Sequence, residues 1–141
     1  KSILALGSIG EKSLHPIGQL YFDTNNKNVK VSCLKTILKV VVNCNLEELS
    51  LEHMSLLELA LEDNSTEIIL TVISIFRRLG INGRNVLIKT CRDPNLLIAK
   101  ASISALLEMK DQIVCDLFDQ LLNDKSIDPM IKEDILRDKI S

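Results

Sequence analysis

The sequence predicts an all-α fold in which helical hairpins stack one upon the next. Three observations carry that prediction. Apolar residues recur at helical spacing through almost every segment, helix-start and helix-stop residues punctuate the breaks, and one helix template occurs four times along the chain. No alternating strand pattern competes with them.

Taken in order, Ser2–Gly10 reads as the tail of an amphipathic helix, with Gly7 and Gly10 at its stop. His15-Pro16 then sits in the entry turn of the next helix. Val29–Leu38 is an apolar-periodic helix, and an extended corner follows around Asn43–Ser50. Glu47–Glu62 carries Leu49, Met54, Leu57 and Leu61 near the 3.6-residue period with glutamates on the other side. Ile68–Phe76 is the next helix, and Gly80 and Gly83 mark a helix C-cap and turn. Asp93-Pro94 and Asp128-Pro129 each place an N-cap acceptor before a proline, which fits the first helical position because its missing N–H is not needed there. Helices are therefore expected over Ile98–Leu107 and Ile131–Lys139, with Asp111–Asn123 between them built on Val114, Leu117, Phe118 and Leu121.

Internal repetition sets the organisation. Val29–Leu38 lies on Ile98–Leu107 without a gap, pairing Val29 with Ile98, Ser32 with Ala101, Leu34 with Ile103 and Ile37 with Leu106. Ile68–Phe76 and Ile131–Lys139 fit the same template, and the steps from Val29 to Ile68, Ile98 and Ile131 are 39, 30 and 33 residues. Each step holds a turn, a helix, a polar corner and a second helix. One hairpin has too few neighbours to bury its apolar side, so stacking supplies the core. Ser32, Thr71 and Ala101 are small where a leucine would hold adjacent layers apart.

Length and composition bound the function. The 141 residues are expected to form a single domain, 1–141, cut from a longer protein, since the chain starts at Lys1 and shows no signal peptide. Seventeen basic and nineteen acidic side chains leave a formal charge of −2, and a pI near 5.7 argues against nucleic acid, which calls for a basic excess. Tyr21, Phe22, Phe76 and Phe118 are the only rings, too scattered for a base-stacking platform. No apolar run is long enough to span a membrane. Cys33, Cys44, Cys91 and Cys115 match no zinc spacing, and Cys33 and Cys115 are read as buried thiols of a cytoplasmic protein.

Leu6-Gly-Ser-Ile-Gly10, Leu14-His-Pro-Ile17, Leu20, Asp23 and Val29-Lys30 together resemble the HEAT repeat, particularly its phycobilisome-lyase-like subtype. Leu79-Gly80, Val86, Leu87, Asp93-Pro94, Ile98, Ala101, Ala105 and Leu106 make a second match, so the resemblance covers nearly the whole chain as about four hairpins. It implies a right-handed α-α superhelix, an armadillo-like solenoid. The sequence departs from the family at Lys30, Ile69, Ala99 and Lys132, where arginine is frequent, and in the long step after Val29.

Catalytic constellations are not apparent. His15 and His53, read as a helix-end and a surface residue, lack a nucleophile partner in the pattern, and no phosphate-binding glycine loop is present. The His-Glu motif of HEAT-like metal hydroxylases is missing too, so no metal, cofactor or enzymatic activity is expected.

The charge distribution is the asymmetry that remains. In a two-helix solenoid the first helices line the convex face and the second helices the concave face. Glu47–Asp63 carries six acids and no basic residue, and Asp111–Asp124 four acids and no basic residue. Second helices carry Lys30, Lys35, Lys39, Arg77, Arg78, Lys100, Lys132 and Arg137, and the last of them is mixed, with Glu133, Asp134 and Asp138 offsetting its basic residues. Lys35, Ser74, Arg77, Lys100 and Ser104 are expected to project from the concave side as a protein-binding surface. The predicted function is a non-enzymatic scaffold that captures another protein or an acidic, helical peptide segment. The resemblance offers an alternative, a regulatory or chaperone-like subunit of an enzyme of the bilin-lyase type, and less readily a DNA-binding HEAT-like solenoid. Oligomers are expected only through exposed repeat ends, with Ile3, Leu4 and Leu6 apolar at one end and the charged run Lys132–Lys139 as a cap at the other.

Overall fold

The fold, given by a computed structural model that describes residues 3–63, 65–109 and 111–140, comprises eight helices and no strand among those residues. The helices are α1 (Ile3–Asp23), α2 (Lys27–Asn43), α3 (Leu51–Ala60), α4 (Thr66–Arg78), α5 (Ile81–Thr90), α6 (Leu96–Met109), α7 (Gln112–Asn123) and α8 (Pro129–Ile140). The four template copies of the sequence fall on α2, α4, α6 and α8. The chain groups into two compact units, Lys1–Gly83 and Arg84–Ser141, with α5 crossing the boundary.

In the first unit α1 packs on α2, α2 packs on α4, and α3 packs on α4. Asn26 starts α2 because its side-chain oxygen accepts the backbone N–H groups of Asn28 at 2.9 Å and Val29 at 3.3 Å. The helix ends in a Schellman motif: Asn45, at φ 51°, donates to the Val42 carbonyl, and Leu46 donates to the Val41 carbonyl at 3.0 Å. Ser50 caps α3. The core gathers Leu14, Leu34, Ile37, Leu56, Leu57, Ile68, Val72, Ile75 and Phe76, all fully buried. Lys30 lies over the Tyr21 ring with its ammonium 5.4 Å from the centroid, and burial pushes the Tyr21 hydroxyl pKa up.

In the second unit α6 packs on α7 and on α8, and α7 packs on α8. The expected apolar side of α7 is the buried one: Val114, Leu117, Phe118 and Leu121. They join Ile98, Ile103, Ala105, Leu106, Ile131 and Ile135 in the core. Asp128 and Pro129 open α8 as the dipeptide predicts, with the Met130 N–H donated to the Asp128 carboxylate at 2.9 Å.

Several local expectations are overturned. Gly7 and Gly10 do not stop a helix, and Pro16 does not open one: α1 runs through all three. The helix tolerates a propensity penalty of about 1 kcal/mol per glycine. Helix α3 begins at Leu51, not Glu47. Helix α6 begins after Asn95, which accepts the Leu97 N–H at 3.0 Å, while Asp93 forms an Asx turn one step earlier. Gly80 terminates α4 at φ 65°, as expected, but Gly83 lies inside α5, where a Cβ would land on the Phe76 carbonyl. Among the thiols, Cys33 and Cys91 are buried, whereas Cys115 is exposed because it points away from the Val114–Leu117 stripe. The apolar side chains of Ile3, Leu4 and Leu6, and Lys139 of the charged run, lie outside the described residues.

Candidate functional site

The five residues expected to bind a partner sit on the second helices, and the two units divide them. Lys35 on α2, with Ser74 and Arg77 on α4, belongs to the first unit; Lys100 and Ser104, both on α6, belong to the second. The geometry of each set is described within its own unit.

Lys35 is exposed, and its ammonium is 3.0 Å from the Glu67 carboxylate at the start of α4. The two side chains are 59% and 60% exposed, so water screens the pair, which as a surface ion pair contributes about 0–1 kcal/mol. Ser74 is half-buried and donates its hydroxyl to the Leu70 carbonyl one turn back at 2.9 Å. Arg77 is half-buried in the last turn of α4, where a cation complements the helix dipole.

Lys100 and Ser104 do come together. With Leu107, Asp134, Arg137 and Asp138 they line an open cleft of about 440 Å³ in the second unit. The Lys100 ammonium is 3.6 Å from Asp134, and Arg137 approaches the other oxygen of the same carboxylate at 3.7 Å. This cleft is therefore balanced in sign, with cations and carboxylates interleaved. These acids are the ones that make the last second helix mixed in charge. They come from α8, and sequence spacing alone does not place them opposite α6.

Two further ion pairs reach the ends of α7, one from α5 and one from the turn after it. Arg84 meets Asp111, the N-cap of α7, at 2.5 Å, and Arg92 meets Asp124 just past its end at 2.8 Å. Asp111 also accepts the Val114 N–H at 2.9 Å, and that bond, then Arg84, holds its carboxyl below the usual range. Asp124 is lowered to about 2, first by Ser126, which donates both its hydroxyl and its N–H, and then by Arg92.

The histidines take roles that sequence reasoning missed. His53 is not a surface residue: it is 3% exposed, against Gly18 of α1. Its Nδ1 is 3.0 Å from the Ser50 hydroxyl, whose oxygen also accepts the His53 backbone N–H, and its Nε2 has no hydrogen-bond partner. A serine beside an imidazole invites comparison with a nucleophile and base, but no carboxylate orients the ring from Nε2, and Ser50 is engaged as the α3 cap. His15 is exposed, with Nδ1 3.5 Å from Glu52. No group of three or more His, Cys, Asp or Glu side chains suited to a metal occurs among the described residues. No described helix is long and apolar enough to cross a membrane.

Comparison with known proteins adds to this geometry. No family model matches the chain. It is distantly homologous to the Bilin biosynthesis protein CpeZ of Synechococcus sp. (strain WH8020), with 28% identity over 138 residues that cover 94% of this chain and 74% of the relative. It is also similar to the Uncharacterized phycocyanin operon protein Z of Pseudanabaena tenuis (strain PCC 7409), with 24% identity over 133 residues covering 94% of this chain and 66% of that protein.

Proposed function

We propose that the chain is a non-enzymatic, HEAT-like accessory subunit that assists attachment of a bilin to a partner protein inside the cell, holding that protein on stacked helices in a right-handed solenoid. The observation that supports this most directly is the similarity, along nearly the whole chain, to a protein named for bilin biosynthesis. The broader form of the same reading is a protein-binding scaffold. It draws on the sequential packing of helices within each unit and on the cationic side chains of α2, α4 and α6.

The proposed mechanism uses exchange of partners. Lys35 is held by an exposed carboxylate, and Lys100 by one that is largely covered. A carboxylate on an incoming protein takes over the screened Lys35–Glu67 pair at little net cost, while at Lys100 it leaves Asp134 to Arg137, and it gains register and encounter rate more than affinity. Ser74 and Ser104 add short polar contacts beside Arg77 and Lys100. On this reading the bilin and the bond-forming chemistry belong to the other proteins, and this chain presents the acceptor.

The test is co-expression of a phycobiliprotein subunit, its bilin and its lyase, with or without this chain, reading covalent pigment by absorbance of the purified subunit. The expected result is more pigmented subunit when the chain is present. A Lys35→Glu, Arg77→Glu and Lys100→Glu triple variant that keeps its helical circular dichroism is expected to lose that gain and to stop co-purifying with the subunit. Equal pigmentation with and without the chain overturns the accessory role, and unchanged co-purification of the triple variant overturns the assignment of the surface.

A further inference from the structure

The α1–α2 hairpin has a second face that the proposed function does not use. An open cleft of about 290 Å³ runs along it, floored by Ile17 and Leu20 of α1 and by Val29, Ser32, Cys33 and Thr36 of α2, with no charged side chain in its lining. The α2 residues form one stripe at i, i+3, i+4 and i+7.

The repeat register shows what this stripe is built for. Laying Val29 on Ile68 puts Ser32, Cys33 and Thr36 on Thr71, Val72 and Ile75 of α4, and all four α4 positions are buried. Laying it on Ile98 gives Ala101, Ser102 and Ala105 of α6, which are buried apart from the half-buried Ala101. The stripe is closed in α4 and α6. In α2 it is open: Ser32, Thr36 and Leu20 are exposed. The small side chains that let helices approach closely are thus present on α2, without a helix among the described residues to meet them.

Charge selects the occupant. Across α1 and α2 the chain carries Lys12, Lys27, Lys30, Lys35 and Lys39 against two acids, Glu11 and Asp23. Lys39 is exposed and follows Thr36 by three residues, at the end of the stripe. A neutral apolar floor with a lysine-rich surround is complementary to an apolar stripe flanked by carboxylates.

We propose that the α1–α2 cleft docks an acidic amphipathic helix of a partner protein, seated on α2 as the helices of the repeat seat on one another. No residue lining the cleft is among those assigned to bilin attachment, and the variants used below leave Lys35 in place, so the test is independent of that reading. A second copy of this chain is the weaker occupant. The apolar sides of α7 are buried in its own unit, and α8 would bring Lys132 and Arg137 against the lysines. Among the described helices, α3 comes nearest to matching chemistry, with Leu51 and Leu59 exposed beside Glu52 and Glu58.

The test uses a fluorescein-labelled synthetic peptide of leucines at helical spacing with glutamates between them, titrated against the whole chain by fluorescence anisotropy. Saturable binding is expected, weakened at least tenfold by Ser32→Trp, which fills the cleft from an exposed position, and weakened with a shallower salt dependence by Lys39→Glu. Both variants are expected to melt like the parent. Lysine in place of glutamate in the peptide is expected to abolish binding. Absence of binding, equal binding of the lysine peptide, or full binding by Ser32→Trp overturns the proposal. So does a dimer in light scattering that Ser32→Trp disperses, because it makes the second copy the occupant.

Discussion

Gly18 and Gly83 both lie inside helices, yet the space around them makes opposite demands. A Cβ at Gly18 would rest 3.6 Å from His53 Cδ2 and from Leu56 Cδ1, an ordinary packing distance. Gly18→Ala is expected to stabilise the protein by about 0.5–1 kcal/mol, because alanine loses less backbone entropy on entering a helix. A Cβ at Gly83 would collide with the Phe76 carbonyl, which is backbone and cannot rotate aside. Gly83→Ala is expected to destabilise by about 2 kcal/mol or more, since α5 must move off a fully buried residue. Urea melts of the two variants give both signs directly. The sequence made Gly83 look like punctuation and assigned Gly18 no role. It also left His53 on the surface among glutamates, because no periodicity shows that a glycine thirty-five positions earlier leaves room for the ring. Ser50, three residues before His53, was the one available signal, as a cap whose hydroxyl reaches both the N–H and the ring.

Helix α7 shows how much of an element the sequence reveals and what it hides. Its length, N-cap and buried stripe follow from Asp111 and from Val114, Leu117, Phe118 and Leu121. The same logic placed α2, α4, α6 and α8, whose apolar repeat survives without a gap. It misplaced the start of α6, because Asp93 and Asn95 both have capping chemistry and the backbone chose the later one. The clamps at the two ends of α7, Arg84 on Asp111 and Arg92 on Asp124, join residues 27 and 32 positions apart on different elements and were not legible. They carry a pH signature. Both carboxyls titrate below their ordinary value of 3.8 in the folded state, Asp124 at about 2. A depressed folded pKa contributes stability that is fully present above the unfolded value and is lost as pH falls through the folded one. Acid unfolding followed by circular dichroism is therefore expected to lose part of its stability between pH 4 and pH 2, and Asp124→Asn is expected to flatten that limb while leaving the neutral-pH fold intact. An unchanged acid limb in Asp124→Asn would remove Asp124 as its source.

Across the whole chain, several ion pairs join residues roughly one repeat apart. Lys35–Glu67 in the first unit, and Arg92–Asp124 and Lys100–Asp134 in the second, join residues 32, 32 and 34 positions apart, near the later repeat steps of 30 and 33, whereas the step that Lys35–Glu67 bridges is 39. Arg84–Asp111, at 27, is the shorter relative of the series. The lysines read from sequence as a binding surface thus also connect one layer of helices to the next. That dual use was hidden because a helical wheel describes one helix and the acceptor lies on another. The question is then whether charge or apolar burial holds the layers together. Most of these side chains are partly exposed, so salt at one molar screens them over about 3 Å, while the buried Leu, Ile, Val and Phe contacts are unaffected or slightly strengthened. If burial dominates, the thermal midpoint is expected to move by less than about 3 °C between 0.05 M and 1 M sodium chloride. Capture of an acidic partner is expected to fall steeply over the same range, because encounter depends on the unscreened field. A midpoint that falls by ten degrees or more would instead make the ladder of ion pairs the main bond between layers. Substituting Lys35 or Lys100 would then test folding rather than binding.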